Sequence, residues 1–461
     1  MKRILTTLAL GLCIAASASA QVFDLNLKKD TLERVYLELP LLDMPYQATV
    51  TEKTSGNFLK SYTNQSMATT LALCEDYQVG THLLIRQLLG RHWYTRLAGY
   101  GFDLLTSQNL PFGTSWAHEE YHRAVMAYRG VDSFDEVWKC KFFASEISVS
   151  HETDEALAAF HDGYASDFIR MNAAGLEAQT HLVQRTQRND FFYHRALANE
   201  MMYWMSLINN WGYLDACASP DTDKDVQEMN AKEVNVEDRD FTGMDLSAWA
   251  FELFHPGNKY ADRGTHPSGT GINRYIMYDQ IGEDGVAYLK KQANRELLNL
   301  VSPMMILIPR IRLAHTKSGD IYGNFSMRHY LTSFGDDTSL DLLFDTPWAK
   351  FYAAPHLYSN YVKSFPGLEL GVVDQHFCNN RLRLNASANL WSQPEEFRSE
   401  SGKFGGCIAA DAAWSFGRFE PYVEIGGKTA GWLVGNVQLG STFNCRAGLR
   451  WLVFDGKASR K

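Results

Sequence analysis

The run Thr114-Ser-Trp-Ala-His-Glu-Glu-Tyr-His-Arg123 holds two histidines, His118 and His122, four residues apart. On a helix that spacing is about one turn, so both imidazoles leave one face and can reach a single Zn²⁺. Glu119 follows the first histidine and stands beside the metal. There a carboxylate can take a proton from a water whose pKa the metal has lowered, then pass it to a leaving amine. The residue types thus suit metal-assisted hydrolysis, with His118 and His122 as ligands and Glu119 as general base. The surroundings read as helix: Asn109 can N-cap, Pro111 fits a first turn, and Gly130 can end it. A catalytic zinc takes three protein ligands, so one must come from another element.

The HEEYH run, His118 to His122, resembles the zincin family of zinc metallopeptidases. The resemblance covers this motif, and it implies a zinc cofactor, a polypeptide substrate and peptide-bond hydrolysis. Two positions depart from the family pattern, because Glu120 and Arg123 stand where uncharged residues are usual. The metzincin extension is absent; the run continues Ala124-Val-Met-Ala-Tyr128 without a glycine and third histidine at that group's spacing. In the gluzincin branch the third ligand is a glutamate on a later helix. The resemblance therefore implies Glu177, in Ala173-Ala-Gly-Leu-Glu-Ala-Gln179, whose small neighbours allow close helix approach. His181, one turn on, is an alternative ligand or a donor behind the ligands; Glu155, Asp162, His161 and His151 compete. Tyr164, His266 and Tyr275 qualify as transition-state donors by residue type alone.

Two rival readings use the same residues. Glu119-x-x-His122 and Glu252-x-x-His255 are both Glu-x-x-His pairs, as in di-iron carboxylate bundles, with Glu75, Glu177 and Glu200 as further acids. Pro256 directly after His255 puts the second pair at a helix end. Alternatively the chain is a non-catalytic envelope protein whose HEEYH run is metal-free or a structural zinc site. No G-x-S-x-G and no P-loop occurs, and the glycine run at 269–274 lacks a preceding strand.

These residues need elements to hold them. From 63 to 313 the periodicity is mainly helical, with helices expected over 69–78, 81–89, 191–211 and 284–300. Inside this metal-binding domain, the acid-rich stretch 219–242 is expected to be a solvated loop or insertion, and the glycine-rich stretch 255–271 a second loop. Residues 21–62 read as an extended N-terminal segment. From 314 to 461 the pattern changes to period two. In Arg381–Trp391, residues Leu382, Leu384, Ala386, Ala388 and Leu390 take one face, and Arg381, Arg383, Asn385, Ser387 and Asn389 the other. Such strands, with Trp391, Trp414, Tyr422, Trp432 and Trp451 near their ends, suit an antiparallel transmembrane barrel. The last strand resembles those of bacterial outer-membrane barrels, although a soluble sandwich shows the same alternation. The expected class is α+β: a mainly helical zincin-like domain, then an antiparallel β-domain forming a small barrel.

The 461 residues are 45% hydrophobic, 21% charged and 13% aromatic, which excludes a wholly disordered chain. Mean hydropathy is -0.27, against a polytopic helical membrane protein. A net charge of -9 makes nucleic acid a poor partner. The first twenty residues, MKRILTTLALGLCIAASASA, read as a secretory signal peptide cleaved before Gln21. Export, to the periplasm or outer membrane of a Gram-negative bacterium, makes outer-membrane lipid an expected partner. It leaves Cys74, Cys140, Cys217, Cys378, Cys407 and Cys445, which an oxidising compartment permits to pair or to remain free.

Overall fold

The computed structural model describes residues 32–45, 66–106, 112–139 and 146–456. The expected signal peptide, most of the extended segment, Asn109, Pro111 and Cys140 lie outside them. The chain begins with strand β1 (Arg34–Met44) and helices α1 (Met67–Leu89), α2 (Trp93–Thr106) and α3 (Thr114–Tyr128). The antiparallel pair β2 (Phe134–Lys139) and β3 (Glu146–Ser150) precedes α4 (Asp154–Gly163), α5 (Ala165–Tyr193) and α6 (Glu200–Cys217). Helices α7 (Asp223–Lys232), α8 (Asp245–Phe254), α9 (Tyr278–Ile281) and α10 (Glu283–Glu296) complete the helical part. Then come β4 (Ile311–Thr316), β5 (Gly319–Thr332), β6 (Gly335–Asp345), β7 (Lys350–Ser359) and β8 (Ser364–Phe377). Strands β9 (Leu382–Pro394), β10 (Gly402–Trp414), β11 (Phe419–Lys428) and β12 (Thr442–Asp455) end the described chain.

Strands β4 to β12 each pair with the next, and β1 adds to β12, giving one 10-stranded sheet in the order β1-β12-β11-β10-β9-β8-β7-β6-β5-β4. The edge strands β1 and β4 are not paired with each other among the described residues. The expected antiparallel β-domain is therefore present, but as an open sheet and not a closed barrel among the described residues.

Strands β9–β11 turn polar rows inward and apolar rows outward. In β9, Arg383 and Asn389 are buried while Ala386, Ala388 and Leu390 are exposed. In β10, Asp411 is buried and Ile408 is 69% exposed. In β11, Glu420 and Lys428 are buried, and Val423 and Ile425 face out. The polar rows turn inward because a charged helix fills the concave side. Along α5, Arg188 binds Asp341 of β6 at 2.6 Å and Glu369 of β8 at 3.4 Å. Gln184 donates to Asp341 at 3.1 Å and accepts from Tyr330 at 2.8 Å, and Arg185 reaches Glu38 of β1 at 3.3 Å. Pairing lets these inward charges stay out of water; removing one partner of a buried pair costs about 3–5 kcal/mol.

Helices span the gap between β1 and the β4–β5 edge. The Glu38 amide on β1 donates to Asp76 of α1 at 2.7 Å. Gln78 and His82 of α1 meet Asp103 of α2 at 2.8 and 2.9 Å. Arg96 and Tyr100 of α2 bind Glu200 of α6 at 3.1 and 3.0 Å. Trp204 of α6 donates to the Met305 carbonyl at 2.9 Å, and the Met327 amide of β5 to Val301 at 2.9 Å. A ring of strands and helices thus encloses α5.

Several expected boundaries move. The helices expected over 69–78 and 81–89 are one helix, α1, capped by Ser66, whose hydroxyl accepts from the Thr69 amide at 3.2 Å. The helix expected over 191–211 breaks at His194, which takes a left-handed conformation, and α6 starts at Glu200. The stretch 219–242 is largely exposed, as expected, but much of it is helical and not loop. It holds short 3-10 turns, Pro220–Thr222 and Val236–Asp238, around α7. Its polar groups are bound in place: Asp223 accepts from the Tyr278 amide at 3.0 Å, and Arg239 donates to the Glu233 carbonyl at 2.9 Å. Cys74, Cys217, Cys378, Cys407 and Cys445 are all free thiols.

Candidate metal centre

Helix α3 carries the HEEYH run well inside its length. It starts at Thr114, with Gly113 as N-cap in place of the expected Asn109. It ends as expected at Gly130, whose φ of 75° lets the Val131 amide return to Met126 at 3.0 Å. The donor atoms of His118, Glu119 and His122 lie within 4.8 Å of one another, and theirs is the one such group of metal-capable residues among the described residues.

A fourth side chain enters from α8. Asp245 Oδ2 lies 3.1 Å from His118 Nε2 and 3.3 Å from His122 Nε2. Tetrahedral zinc with ligands at about 2.0–2.1 Å needs donors about 3.3–3.4 Å apart. The His122–Asp245 separation meets that requirement, and the His118–Asp245 separation is slightly shorter, at hydrogen-bond distance. The tautomer fits as well: His122 Nδ1 lies 2.6 Å from the Met171 carbonyl, so it donates there and leaves Nε2 unprotonated in neutral imidazole. That Nε2 is buried without a hydrogen-bond partner. A lone pair aimed at a carboxylate is unfavourable unless a cation or a proton lies between them. His118, Glu119 and His122 thus form a group that can hold a metal ion, with Asp245 against both histidines.

Close helix approach makes the arrangement possible. Gly175 of α5 faces His118, and a Cβ there would lie 2.2 Å from His118 Nε2. The sequence pointed to small residues at 173–175, and the glycine does serve approach, but towards a histidine. Phe241 packs on the His122 ring at 4.9 Å between centroids, and the Asp245 amide donates to Tyr213 at 3.0 Å.

The electrostatics follow from burial and neighbours. Burial pushes the Glu119 carboxyl well up, and Asp245, Asp135, Asp240 and Glu120 push it further. Burial would also raise Asp245, but the His122 and His118 rings hold it well below the usual carboxylate range. Burial lowers His118, whereas Asp245 raises His122 against its own burial.

Glu177, the expected third ligand, is engaged elsewhere. Its carboxylate accepts from Arg170 at 2.8 and 3.1 Å and from the Gly435 amide at 2.7 Å. His181 meets the Tyr121 hydroxyl at 3.2 Å. His161 lies between Asp162 and Glu252, at 2.7 and 2.8 Å. The three proposed donors are also committed away from the histidine pair. Tyr164 lies under the Arg129 guanidinium, His266 meets the Asn230 carbonyl at 2.9 Å, and Tyr275 donates to Glu233 at 2.8 Å. The acids a di-iron site would need are in ion pairs: Glu252 with Arg263, Glu75 with Arg195, and Glu200 with Arg96.

The two departures from the zincin pattern pair with each other. Arg123 binds Glu120, both buried, and also reaches Asp135 at 3.6 Å and the Ser133 carbonyl at 2.9 Å. Spacing alone did not reveal Asp245, because a ligand from a distant helix has no fixed offset from the motif. The one local signal was an acid opening a helix just after Gly243. No protein-family model matches the sequence, and no curated protein or solved structure shows significant similarity to it.

Proposed function

We propose that this protein is an exported, membrane-associated zinc metallopeptidase that hydrolyses peptide bonds in envelope or surface polypeptides. The observation that carries this reading is the convergence of His118 Nε2, His122 Nε2 and Asp245 Oδ2 beside Glu119. His118, His122 and Asp245 would hold the ion, with Asp245 replacing Glu177 in that role. When bound, zinc supplies a Lewis acid that polarises a scissile carbonyl and acidifies water. Glu119 takes the proton of the attacking water and returns it to the leaving amine. Burial and the neighbouring carboxylates raise its pKa above the ordinary carboxylate value, the direction that helps one group take and return a proton. The Met171 carbonyl fixes the His122 ring, and Gly175 leaves room for His118. The outward apolar rows of the sheet support outer-membrane lipid as the surrounding medium.

A second reading is a metal-free, non-catalytic protein in which protonated His122 is paired with Asp245; the raised His122 pKa favours it. Metal analysis of the purified chain separates the two. One zinc per chain, with proteolysis lost in Glu119→Gln, supports the peptidase. A metal-free protein that takes up no added zinc would overturn it.

A further inference from the structure

Helix α2 is built inside out. Its polar side chains point into the protein: Asp103 is fully buried against Gln78 and His82, and Arg96 and Tyr100 bind Glu200. Beside these groups runs an apolar, uncovered stripe, with Trp93 77%, Leu97 53%, Leu104 44% and Leu105 40% exposed. Trp93, Leu97 and Leu104 fall on one helical face, and Leu105 widens it. Helix α1 beside it exposes Leu84 and Leu88. This is the inversion already seen in the strands, and it occurs where the sheet is missing.

We infer that α1 and α2 form the part of the lipid-facing belt that the open sheet leaves out, so that their outer stripes lie against acyl chains. The inference rests on the membrane reading proposed above. Continuity carries it: β1 also turns Leu39 and Leu41 outward, and its hydrogen bond to Asp76 leads directly onto α1. A second copy of the chain would cover one side of such a ring, whereas a bilayer covers all of it. No described helix is long and apolar enough to cross a membrane by itself. The two helices do not need to be, because Gln78, His82, Arg96, Tyr100 and Asp103 bind partners within the protein while the exposed leucines face outward. The exposed leucines of α1, Leu84, Leu88 and Leu89, lie in its last two turns, beside α2.

The test is carbene photolabelling of the full chain in phosphatidylethanolamine–phosphatidylglycerol vesicles containing a diazirine-tailed phospholipid, mapped by mass spectrometry. Adducts on both α2 and β10–β11, each at least about tenfold above those on buried helix α8, are the expected result. Adducts on the strands alone would overturn the inference and leave the membrane reading standing. Adducts on neither would overturn both. Crosslinks joining α2 of two copies, without lipid adducts there, would assign the stripe to a dimer and also overturn it. As a second measurement, Leu97→Lys with Leu104→Lys should weaken vesicle retention while the circular dichroism spectrum in detergent stays unchanged. Undiminished retention of a folded double variant counts against the inference.

Discussion

His122 Nε2 stands 3.3 Å from Asp245 Oδ2, while the other nitrogen of the same ring is held by the Met171 carbonyl. The carbonyl sets the tautomer, and the aspartate sets where a cation would sit. If Asp245 is a ligand, Asp245→Ala should weaken zinc binding by more than the about 10–100-fold typical of losing an outer partner. Competition with a chromophoric chelator measures this. Loss of zinc in Glu177→Gln with retention in Asp245→Ala would reverse the assignment.

Glu119→Gln keeps the size of the side chain and removes its ability to accept a proton. Zinc content should be unchanged, and peptide hydrolysis should fall by about 10²–10⁴-fold. Hydrolysis at the parent rate would remove Glu119 from the chemistry.

Gly175→Ala places a methyl group 2.2 Å from His118 Nε2, too close for the ring to stay. The expected outcome is loss of zinc from a protein whose helical content is unchanged. Full zinc occupancy in this variant would show that His118 is not a ligand in its present position.

The Glu120–Arg123 pair is buried on α3. Arg123→Met strands a buried carboxylate and should lower unfolding stability by about 3–5 kcal/mol. Glu120→Leu combined with Arg123→Met removes both charges and should recover much of that loss. A double variant as unstable as the summed singles would mean that the two charges act independently.

Burial raises Glu296 from an ordinary 4.5 to about 8, with Asn299 and Asn210 beside it. Between those values the native state binds the proton that the unfolded state has released. Its contribution to stability is therefore full below pH 4.5 and declines as pH rises through 8. Glu296→Gln should flatten this slope in unfolding curves measured from pH 5 to 8. An unchanged slope would place the pH dependence on other groups.

The local chemistry was legible in the chain because it is local. One helical turn separates His118 from His122, so their shared face follows from backbone geometry. The period-two run in β9 likewise showed two faces of opposite polarity, and Gly130 marked the end of α3. Which face turns inward was not decided by alternation, since the same pattern serves a sheet that buries its apolar side and one that buries its charges. That was settled by what fills the concave side, namely α5 with Arg185 and Arg188 among the acids of several strands. The third candidate ligand depended equally on tertiary structure. Glu177 has suitable chemistry but lies beside Arg170, whereas Asp245 reaches the histidines because α8 packs on α5, which in turn packs on α3. Spacing can specify partners one turn apart; partners more than a hundred residues apart meet only through packing.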